Sequence, residues 1–378
     1  RVVIVGFDGM APEIVDVMLE AGRLPNLAKL RGAGTYTRLG TTCPAMSPVA
    51  WSSFMTGAGP GRHGIFDFLH RDPRTYLPNL SSAQIRPPRR MLRLGKLQLP
   101  LSRPTLRQLR RSKPFWSVLG EHGIFSTVLR VPITFPPERF SGLLLSGMCV
   151  PDLRGTQGSF TFFSTAAESD TEHIGGLRLP LTRSNGVLRG SLPGPPRAGS
   201  PDGEPAEAAF RLIPNGDGAA RLEIDGQRIG LRQREYSEWV PVGFRMGAGI
   251  RAAGICRFYL KQLSPEVELY VSPINIDPER PALPVSHPAA YAIYLSKRLG
   301  RYATLGLAED TWALNEGVLD DGAFLEQCRL LFEERERMLF NSLANMRHGC
   351  LVCVFDTTDR VQHMFWRYRE NDHPAPLE

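Results

Sequence analysis

The chain has 378 residues, of which 42% are hydrophobic, so it is long enough to bury a full core and to form about two domains. The sequence contains no run of eighteen apolar residues, which excludes a membrane-spanning helix of ordinary length within it. The formal net charge is +7 and is unevenly distributed. Residues 86–113 contain ten basic side chains and no acidic one, so the rest of the chain is slightly acidic.

The six cysteines are scattered and stand mostly among apolar residues. Cys350 and Cys353 fall within a strand pattern, where residues three apart point to opposite faces, so they form a poor zinc or redox motif. We therefore predict buried, reduced thiols, which favour a cytoplasmic setting. The first residues already form a strand pattern and leave no room for a signal peptide, so targeting information is either absent or was removed before residue 1.

The N-terminal stretch predicts the start of an α/β fold. Residues 2–6 are nearly all Val or Ile, as in a central parallel strand that is covered on both faces. Asp8 follows the strand and lies at its carboxyl edge, where ligands of open α/β sheets collect. Apolar spacing predicts helices over 12–21 and from 26 to 30, and a short strand over 36–39.

The next helix is predicted to begin at Ser47 and Pro48. Ser just before a helix and Pro just inside it is the expected order of residues at a helix start. The Ser47 hydroxyl would then lie at the positive end of a helix dipole, beside free backbone N–H groups. Such a position suits a nucleophile that attacks or carries a phosphate, although an ordinary helix-capping serine is the alternative.

The basic segment 86–113 mixes Arg with Leu and is broken by prolines. We interpret it as a solvated, flexible arm. The alternatives are a weak contact with an anionic membrane surface and the attraction of a polyanionic substrate. Sequence-specific nucleic-acid binding is not indicated, because aromatic residues and a recognition fold are missing. A helix over 115–123 and strands over 125–131 and 143–150 follow.

The sequence pattern between 151 and 275 differs from that of the flanking regions. A Pro-, Gly- and Ser-rich loop is predicted over 191–205, a hairpin with an Asp-Gly turn over 222–229, and a strand over 266–271. We therefore predict a β-rich insertion, or cap, over 151–275. The catalytic core would consist of 1–150, which includes the basic arm, and of 276–378, which would be incomplete.

The sequence pattern of the C-terminal part again predicts alternating helices and strands. Helices are predicted over 289–299 and 322–345, and a buried strand over 349–356. Asp359 and His363 follow that strand four residues apart, so they share a helix face and can hold one metal ion, unless the face is simply solvated. Oxygen and nitrogen ligands without thiolates suit Zn²⁺ first and Mn²⁺ second. The stretch Glu309-Asp310-Thr311, in the loop before the long helix, predicts a helix N-cap, with orientation of the substrate as the alternative.

Several short motifs, taken in chain order, resemble one known family. They are Gly6-Phe-Asp8-Gly9, Pro44-x-x-Ser47, Thr56-Gly57, the closure from Pro60 to Ile65, and Asp359-x-x-x-His363. They are similar to the type I phosphodiesterase/nucleotide pyrophosphatase branch of the alkaline phosphatase superfamily, and in particular to prokaryotic, largely uncharacterised members with a large insertion. The resemblance covers about residues 1–70 and 280–370.

The resemblance implies an alkaline-phosphatase-like, mostly parallel sheet flanked by helices, with a β-rich cap. It also implies two divalent metal ions, Zn²⁺ or alternatively Mn²⁺, with Asp8 and Ser47 on one and Asp359 and His363 on the other. Ser47 would attack phosphorus and form a phosphoserine intermediate. Thr42 is a rival nucleophile, but its distance from Thr56-Gly57 is five residues too long for the family pattern.

The expected function is therefore hydrolysis of a small-molecule phosphate ester, with a phosphodiester or pyrophosphate bond as the preferred substrate. A phosphomonoesterase or phosphotransferase that uses the same nucleophile is one alternative, and a non-catalytic binding protein with this fold is another. The family completes its metal sites with a later Asp-His-Gly phrase and a final His, and this sequence contains neither. We therefore expect a chain truncated at its C-terminus. Substrate-binding residues and the oligomeric state stay unassigned.

Overall fold

The computed structural model describes residues 1–86, 91–94, 97–100, 104–166, 175–197, 200, 203–216, 218–247 and 249–375. Its helices are α1 (Pro12–Glu20), α2 (Pro25–Ala33), α3 (Ser47–Thr56), α4 (Pro60–His63), α5 (Phe115–Glu121), α6 (Ala290–Leu299), α7 (Thr311–Asn315), α8 (Asp321–Asn345) and α9 (Thr357–Phe365), followed by a 3₁₀ turn at Trp366–Tyr368.

The strands of the N-terminal part are β1 (Val2–Phe7), β2 (Leu69–Arg71), β3 (Pro78–Leu80), β4 (Ala83–Arg86), β5 (Met91–Leu94), β6 (Leu97–Pro100), β7 (Thr105–Gln108), β8 (Ser126–Leu129) and β9 (Gly142–Leu145). Those that follow are β10 (Phe160–Ser164), β11 (Gly176–Pro180), β12 (Thr182–Ser184), β13 (Val187–Pro196), β14 (Pro205–Gly216), β15 (Ala219–Ile224), β16 (Gln227–Arg232), β17 (Val240–Gly247), β18 (Ile250–Cys256), β19 (Phe258–Gln262), β20 (Glu268–Val271), β21 (Asn275–Ile276), β22 (Ser286–His287) and β23 (Cys350–Phe355).

A central sheet organises the α/β part of the molecule. Its strand order is β1-β23-β8-β9-β22, with the first four strands parallel and β22 antiparallel to β9. β23 has six buried residues in a row, which is the pattern of a parallel strand covered on both faces. The mixed α/β architecture around a sheet with parallel strands confirms the predicted fold class.

The β1 side of this sheet is open within the described part of the chain. β1 pairs with β23 on one side, and Val2, Val3, Val5 and Phe7 are 56%, 44%, 41% and 39% exposed. β1 therefore has the composition of a central strand and the exposure of an edge strand.

Residues 160–276 form three further sheets, with the orders β11-β10-β20-β19, β12-β13-β14-β15-β16 and β17-β18-β21. Strands β14 to β17 alternate more buried and more exposed residues, most regularly in β14. A single buried apolar cluster joins these sheets to the central one, since it contains both Phe210 and Leu351. No boundary in the core separates the segments, and the predicted division at 150 and 275 stays a prediction.

Three local predictions are wrong. Residues 36–39 form no strand. Part of the loop predicted over 191–205 belongs to β13, which extends to Pro196 and pairs with β14 across a bulge. The basic arm contains β7, which pairs with β4, and Arg110 is buried against Glu138 rather than solvated. The rest of the arm prediction falls partly on 87–90, 95–96 and 101–103, outside the described residues.

Other predictions are confirmed. The Asp225-Gly226 turn joins β15 to β16 with both residues at positive φ, as a two-residue hairpin of this type requires. All six cysteines are free, and five of them are buried, Cys43 being exposed. Of the helices described, none is both long enough and apolar enough to cross a membrane.

Candidate active site

The carboxylate of Asp8 is the centre of the candidate site. β1 and β23 pair in register up to Phe7 and Phe355, and the Asp8 N–H donates to Phe355 O at 2.8 Å. Asp8 therefore emerges at the carboxyl edge of the sheet, beside the residues that begin α9. It is only 5% exposed. Ser47 Oγ donates to Asp8 Oδ1 at 3.2 Å, and the indole Nε1 of Trp51 donates to the same oxygen at 2.8 Å.

Ser47 is the first residue of α3 and not its cap. The capping position is taken by Met46, which makes no side-chain capping bond, so the alternative of an ordinary helix-capping serine does not hold. Ser47 and Trp51 are four residues apart and share one helix face, which explains why both reach Asp8.

The beginning of α3 offers fewer free amides than expected. Pro48 has no N–H, and the N–H groups of Val49 and Ala50 both donate to Met46 O at 2.9 Å. The helix start alone is therefore a weak anion site, and a phosphate bound near Ser47 needs further positive charge.

Helix α9 brings Asp359 and His363 to the same edge. Asp359 Oδ1 lies 3.4 Å from His363 Nε2, and the His363 side chain is 70% exposed while that of Asp359 is 11% exposed. Gly9 packs directly on Asp359: a Cβ at position 9 would lie 2.6 Å from Asp359 Oδ1. Thr358 Oγ1 also donates to Asp8 O at 2.7 Å, which ties α9 to the end of β1.

The four residues predicted from the sequence therefore converge on one edge of the sheet. Burial raises the pKa of Asp8, and the hydrogen bond from Trp51 opposes this effect. Asp359 and Asp356 raise the pKa of Asp8 further, and the hydrogen bond from Ser47 lowers it. Such a concentration of negative charge favours a bound cation.

A divalent cation fits the donor chemistry of this edge, although not a complete ligand set. Asp8 Oδ2 is buried and has no hydrogen-bond partner among the described residues, so one carboxylate oxygen is left for a ligand. Asp359 and His363 offer oxygen and nitrogen donors without thiolates. However, no group of three or more His, Cys, Asp or Glu side chains within the described ranges could hold a metal ion.

The closure after α3 is a structural element. His63 is fully buried, its Nδ1 accepts from Ile65 N at 3.1 Å, and its Nε2 lies 3.0 Å from Ser53 Oγ. Because Nδ1 accepts a backbone N–H, the ring proton resides on Nε2, which donates to Ser53. His63 therefore cannot act as a base toward that serine. Burial, and to a lesser degree Arg110, also lowers the pKa of His63.

A buried ionic array supports α9 from below. Asp356 is 2% exposed and pairs closely with Arg335, whose guanidinium also donates to Val354 O at 3.0 Å. Burial opposes the charge of Asp356, but Arg335 and Arg130 outweigh it and lower the pKa of Asp356. The carboxylate at the end of β23 is thus held ionised one turn below Asp359.

The loop at 309–311 divides into two roles. Asp310 caps α7 by accepting from Ala313 N at 3.0 Å, as predicted from the sequence. Glu309 is 4% exposed and accepts from Thr357 Oγ1 at 2.7 Å, so it contacts the first turn of α9.

Sequence reasoning did not find Trp51, Gly9 or Arg360 as parts of the site. Trp51 stands one helical turn after Ser47, and Arg360 directly follows Asp359, so the spacing in the sequence indicates that both lie near the site. Arg360 forms a close ion pair with Asp359 Oδ2. The role of Gly9 depends on the distant α9, which no local pattern reveals.

Comparison with known proteins gives one finding. Residues 2–152 match the type I phosphodiesterase/nucleotide pyrophosphatase family model. The matched segment extends from β1 through β9 and includes Asp8 and Ser47, but not Asp359 and His363. No curated protein and no solved structure matches the chain. The family match thus supports the N-terminal half of the resemblance drawn from the motifs.

Proposed function

We propose that the chain is a metal-dependent hydrolase of phosphate esters, with phosphodiester or pyrophosphate bonds as substrates and Ser47 as the nucleophile. The observation that carries the proposal is the hydrogen bond from Ser47 Oγ to a buried Asp8 carboxylate whose other oxygen is unpartnered. The family match over residues 2–152 supports the same class of reaction.

The residues of the chain divide the work as follows. The hydrogen bond from Trp51 fixes the orientation of the Asp8 carboxylate. Asp8 accepts a hydrogen bond from the Ser47 hydroxyl and thereby fixes the position of Oγ. In-line attack of Oγ on phosphorus expels the alcohol or phosphate leaving group and leaves the phosphoryl group, with its remaining substituent, bound to Ser47 Oγ; water then cleaves that bond and releases the product.

Asp8 and Ser47 would hold one cation, and Asp359 and His363 a second. Bound divalent cations supply Lewis-acid stabilisation of the phosphate charge and acidify the hydroxyl, with Zn²⁺ favoured over Mn²⁺ by the donors. This role matters here because the start of α3 has few free amides. A reducing, cytoplasmic compartment would suit the five buried free thiols.

We further propose that a strand supplied by additional polypeptide pairs with the open edge of β1 and completes the site. Support comes from the exposed apolar edge of β1, next to Asp8, because a strand of this composition is normally paired and covered on both sides. A strand added there would end at the same sheet edge as Asp8 and could bring the missing metal ligands.

The test is hydrolysis of bis(p-nitrophenyl) phosphate and p-nitrophenyl phosphate with Zn²⁺ or Mn²⁺ and with EDTA, for this chain and for one extended at its C-terminus. We expect weak or no turnover by the chain itself, clear turnover by the extended chain, a preference for the diester and loss of activity in EDTA. Preference for the monoester would favour the phosphomonoesterase alternative.

Two variants identify the nucleophile. Ser47→Ala is expected to abolish turnover while metal binding is largely kept. Thr42→Ala is the matched control, because its hydroxyl donates to Pro44 O, whereas the described hydrogen bonds to the Asp8 carboxylate come from Ser47 and Trp51. Full activity in Ser47→Ala would overturn the assignment, and a chain that binds metal yet cleaves neither ester would favour a non-catalytic binding protein.

A further inference from the structure

Arg360 is the cation that neutralises Asp359 in this structure. Its Nη1 pairs closely with Asp359 Oδ2, while its Nη2 is buried and has no hydrogen-bond partner among the described residues. One arm of the guanidinium fork is therefore used at the candidate site, and the other is left without a bond although water cannot reach it. A buried donor in this state is costly and favours a second arrangement of the side chain.

Glu309 has the complementary feature, a buried acceptor oxygen without a donor. One of its oxygens accepts from Thr357 Oγ1 at 2.7 Å, while the other, Oε2, is buried and unpartnered within the described part of the chain. Burial and then Asp356 raise the pKa of Glu309, whereas Arg335 and Arg360 act in the opposite direction. Glu309 is thus a carboxylate with room for one more donor.

The helix places these two groups on the same side. Thr357 and Arg360 are three residues apart in α9, so they share a face, and Glu309 is bonded to Thr357. Long side chains on a helix point back toward its N-terminus, which is the direction of Thr357 and Glu309 from Arg360. Arg360 therefore pairs with the candidate metal ligand Asp359 and is near enough to Glu309 to lower the pKa of that buried carboxylate.

We propose that Arg360 is a two-position counter-ion, which pairs with Asp359 when that carboxylate holds no cation and turns to Glu309 when a divalent cation takes Asp359. Glu309 is then a positioning residue, because it removes the positive charge that competes with the cation. The metal-binding part rests on the proposed function, but the two positions of Arg360 can be tested without metal.

The first test removes the charge that holds Arg360 in its present position. Crystal structures of the wild type and of Asp359→Asn, both without metal, locate the guanidinium directly. We expect hydrogen-bond distance between Arg360 Nη2 and Glu309 Oε2 in the variant, because a charged acceptor is stronger than a neutral amide. Asp359→Ala serves as a second variant. The proposal is overturned if, in both variants, the Arg360 side chain still contacts residue 359 or turns to solvent.

The second test is a double-mutant cycle between Glu309→Gln and Asp359→Asn, measured by denaturant unfolding. In the wild type, Glu309→Gln should change stability little or raise it, since Oε2 has no donor to lose. With Asn at 359, the same change should raise the unfolding equilibrium constant roughly tenfold or more, since a hydrogen bond to a charged group is lost. Glu138→Gln, at the Arg110 pair, whose described contacts include neither Asp359 nor Glu309, should act equally in both backgrounds.

An equal effect of Glu309→Gln in both backgrounds would contradict the proposal. A third measurement separates it from the proposed function: a crystal of the wild type soaked with Mn²⁺. Mn²⁺ on Asp359 with Arg360 turned to Glu309 supports both, and Mn²⁺ on Asp359 with Arg360 unmoved overturns the counter-ion proposal. If Arg360 turns in Asp359→Asn but Mn²⁺ binds neither this chain nor its C-terminally extended form, the two positions stand and the metal-dependent hydrolase proposal fails.

Discussion

Replacing Gly9 by Ala tests whether the end of β1 presses against α9. Gly9 has φ +64°, and an added Cβ would lie 2.6 Å from Asp359 Oδ1 and 3.0 Å from Asp359 Cα. The second distance involves backbone, so α9 itself must shift. Gly57 is a matched control, because its φ is +61° and a Cβ there would meet nothing within 4 Å.

The expected magnitudes follow from these two geometries. Both variants place Ala in the left-handed region, which costs about 1–2 kcal/mol in the free energy of unfolding. Gly9→Ala adds an overpacking cost of about 1–3 kcal/mol, because the clash cannot be relieved by a flexible side-chain end alone. Gly9→Ala should therefore destabilise the protein by about 1–3 kcal/mol more than Gly57→Ala.

Denaturant unfolding monitored by tryptophan fluorescence measures both variants, and Mn²⁺ titration followed by electron paramagnetic resonance reports on the site. Gly9→Ala should also weaken Mn²⁺ binding, because Asp359 moves away from Asp8, whereas Gly57→Ala should leave it unchanged. Equal destabilisation by the two variants, with equal Mn²⁺ affinity, would refute the close packing of Asp359 on Gly9.

Three further predictions concern single contacts. Trp51→Phe keeps an aromatic ring but removes a donor that lowers the pKa of Asp8, so the loss of Mn²⁺ binding on acidification should move to higher pH; an unchanged pH profile would contradict this. Burial raises the pKa of Asp310 to about 6, so the wild type should lose stability as pH rises from about 4 to about 6, by up to about 3 kcal/mol. Asp310→Asn keeps the helix cap and should lack this loss in parallel unfolding curves, and identical curves would argue against a raised pKa. Arg335→Met leaves Asp356 buried without its closest cation and should cost about 3–5 kcal/mol in unfolding experiments at pH 7, so a cost below about 1 kcal/mol would count against the pair.

The parts of the fold that could be predicted are those in which local pattern and tertiary context agree. β23 and the Asp225-Gly226 hairpin follow from a continuous apolar run and from turn chemistry. The wrong predictions concern segments whose structure depends on tertiary contacts. A strand needs a neighbour, and residues 36–39 have none, while the Pro-rich end of β13 finds one in β14 through a bulge.

The candidate site shows the same division. Asp8, Ser47, Asp359 and His363 could be brought together from the sequence because each follows a strand or begins a helix at one sheet edge. The contacts that orient them could not all be derived. The buried Asp356–Arg335 pair and the free oxygen of Glu309 depend on how α8, α9 and the 309–311 loop pack, which is a long-range result.

The central claim is that Ser47 is the nucleophile, and covalent trapping tests it most directly. The chain, or its C-terminally extended form, is mixed with bis(p-nitrophenyl) phosphate and Mn²⁺, quenched in acid and mapped by peptide mass spectrometry. We predict a p-nitrophenyl phosphoryl group on Ser47, p-nitrophenol equal in amount to that adduct in the first turnover, and neither in Ser47→Ala. Turnover with no adduct on Ser47, or an adduct on Thr42 that persists in Ser47→Ala, would contradict the account.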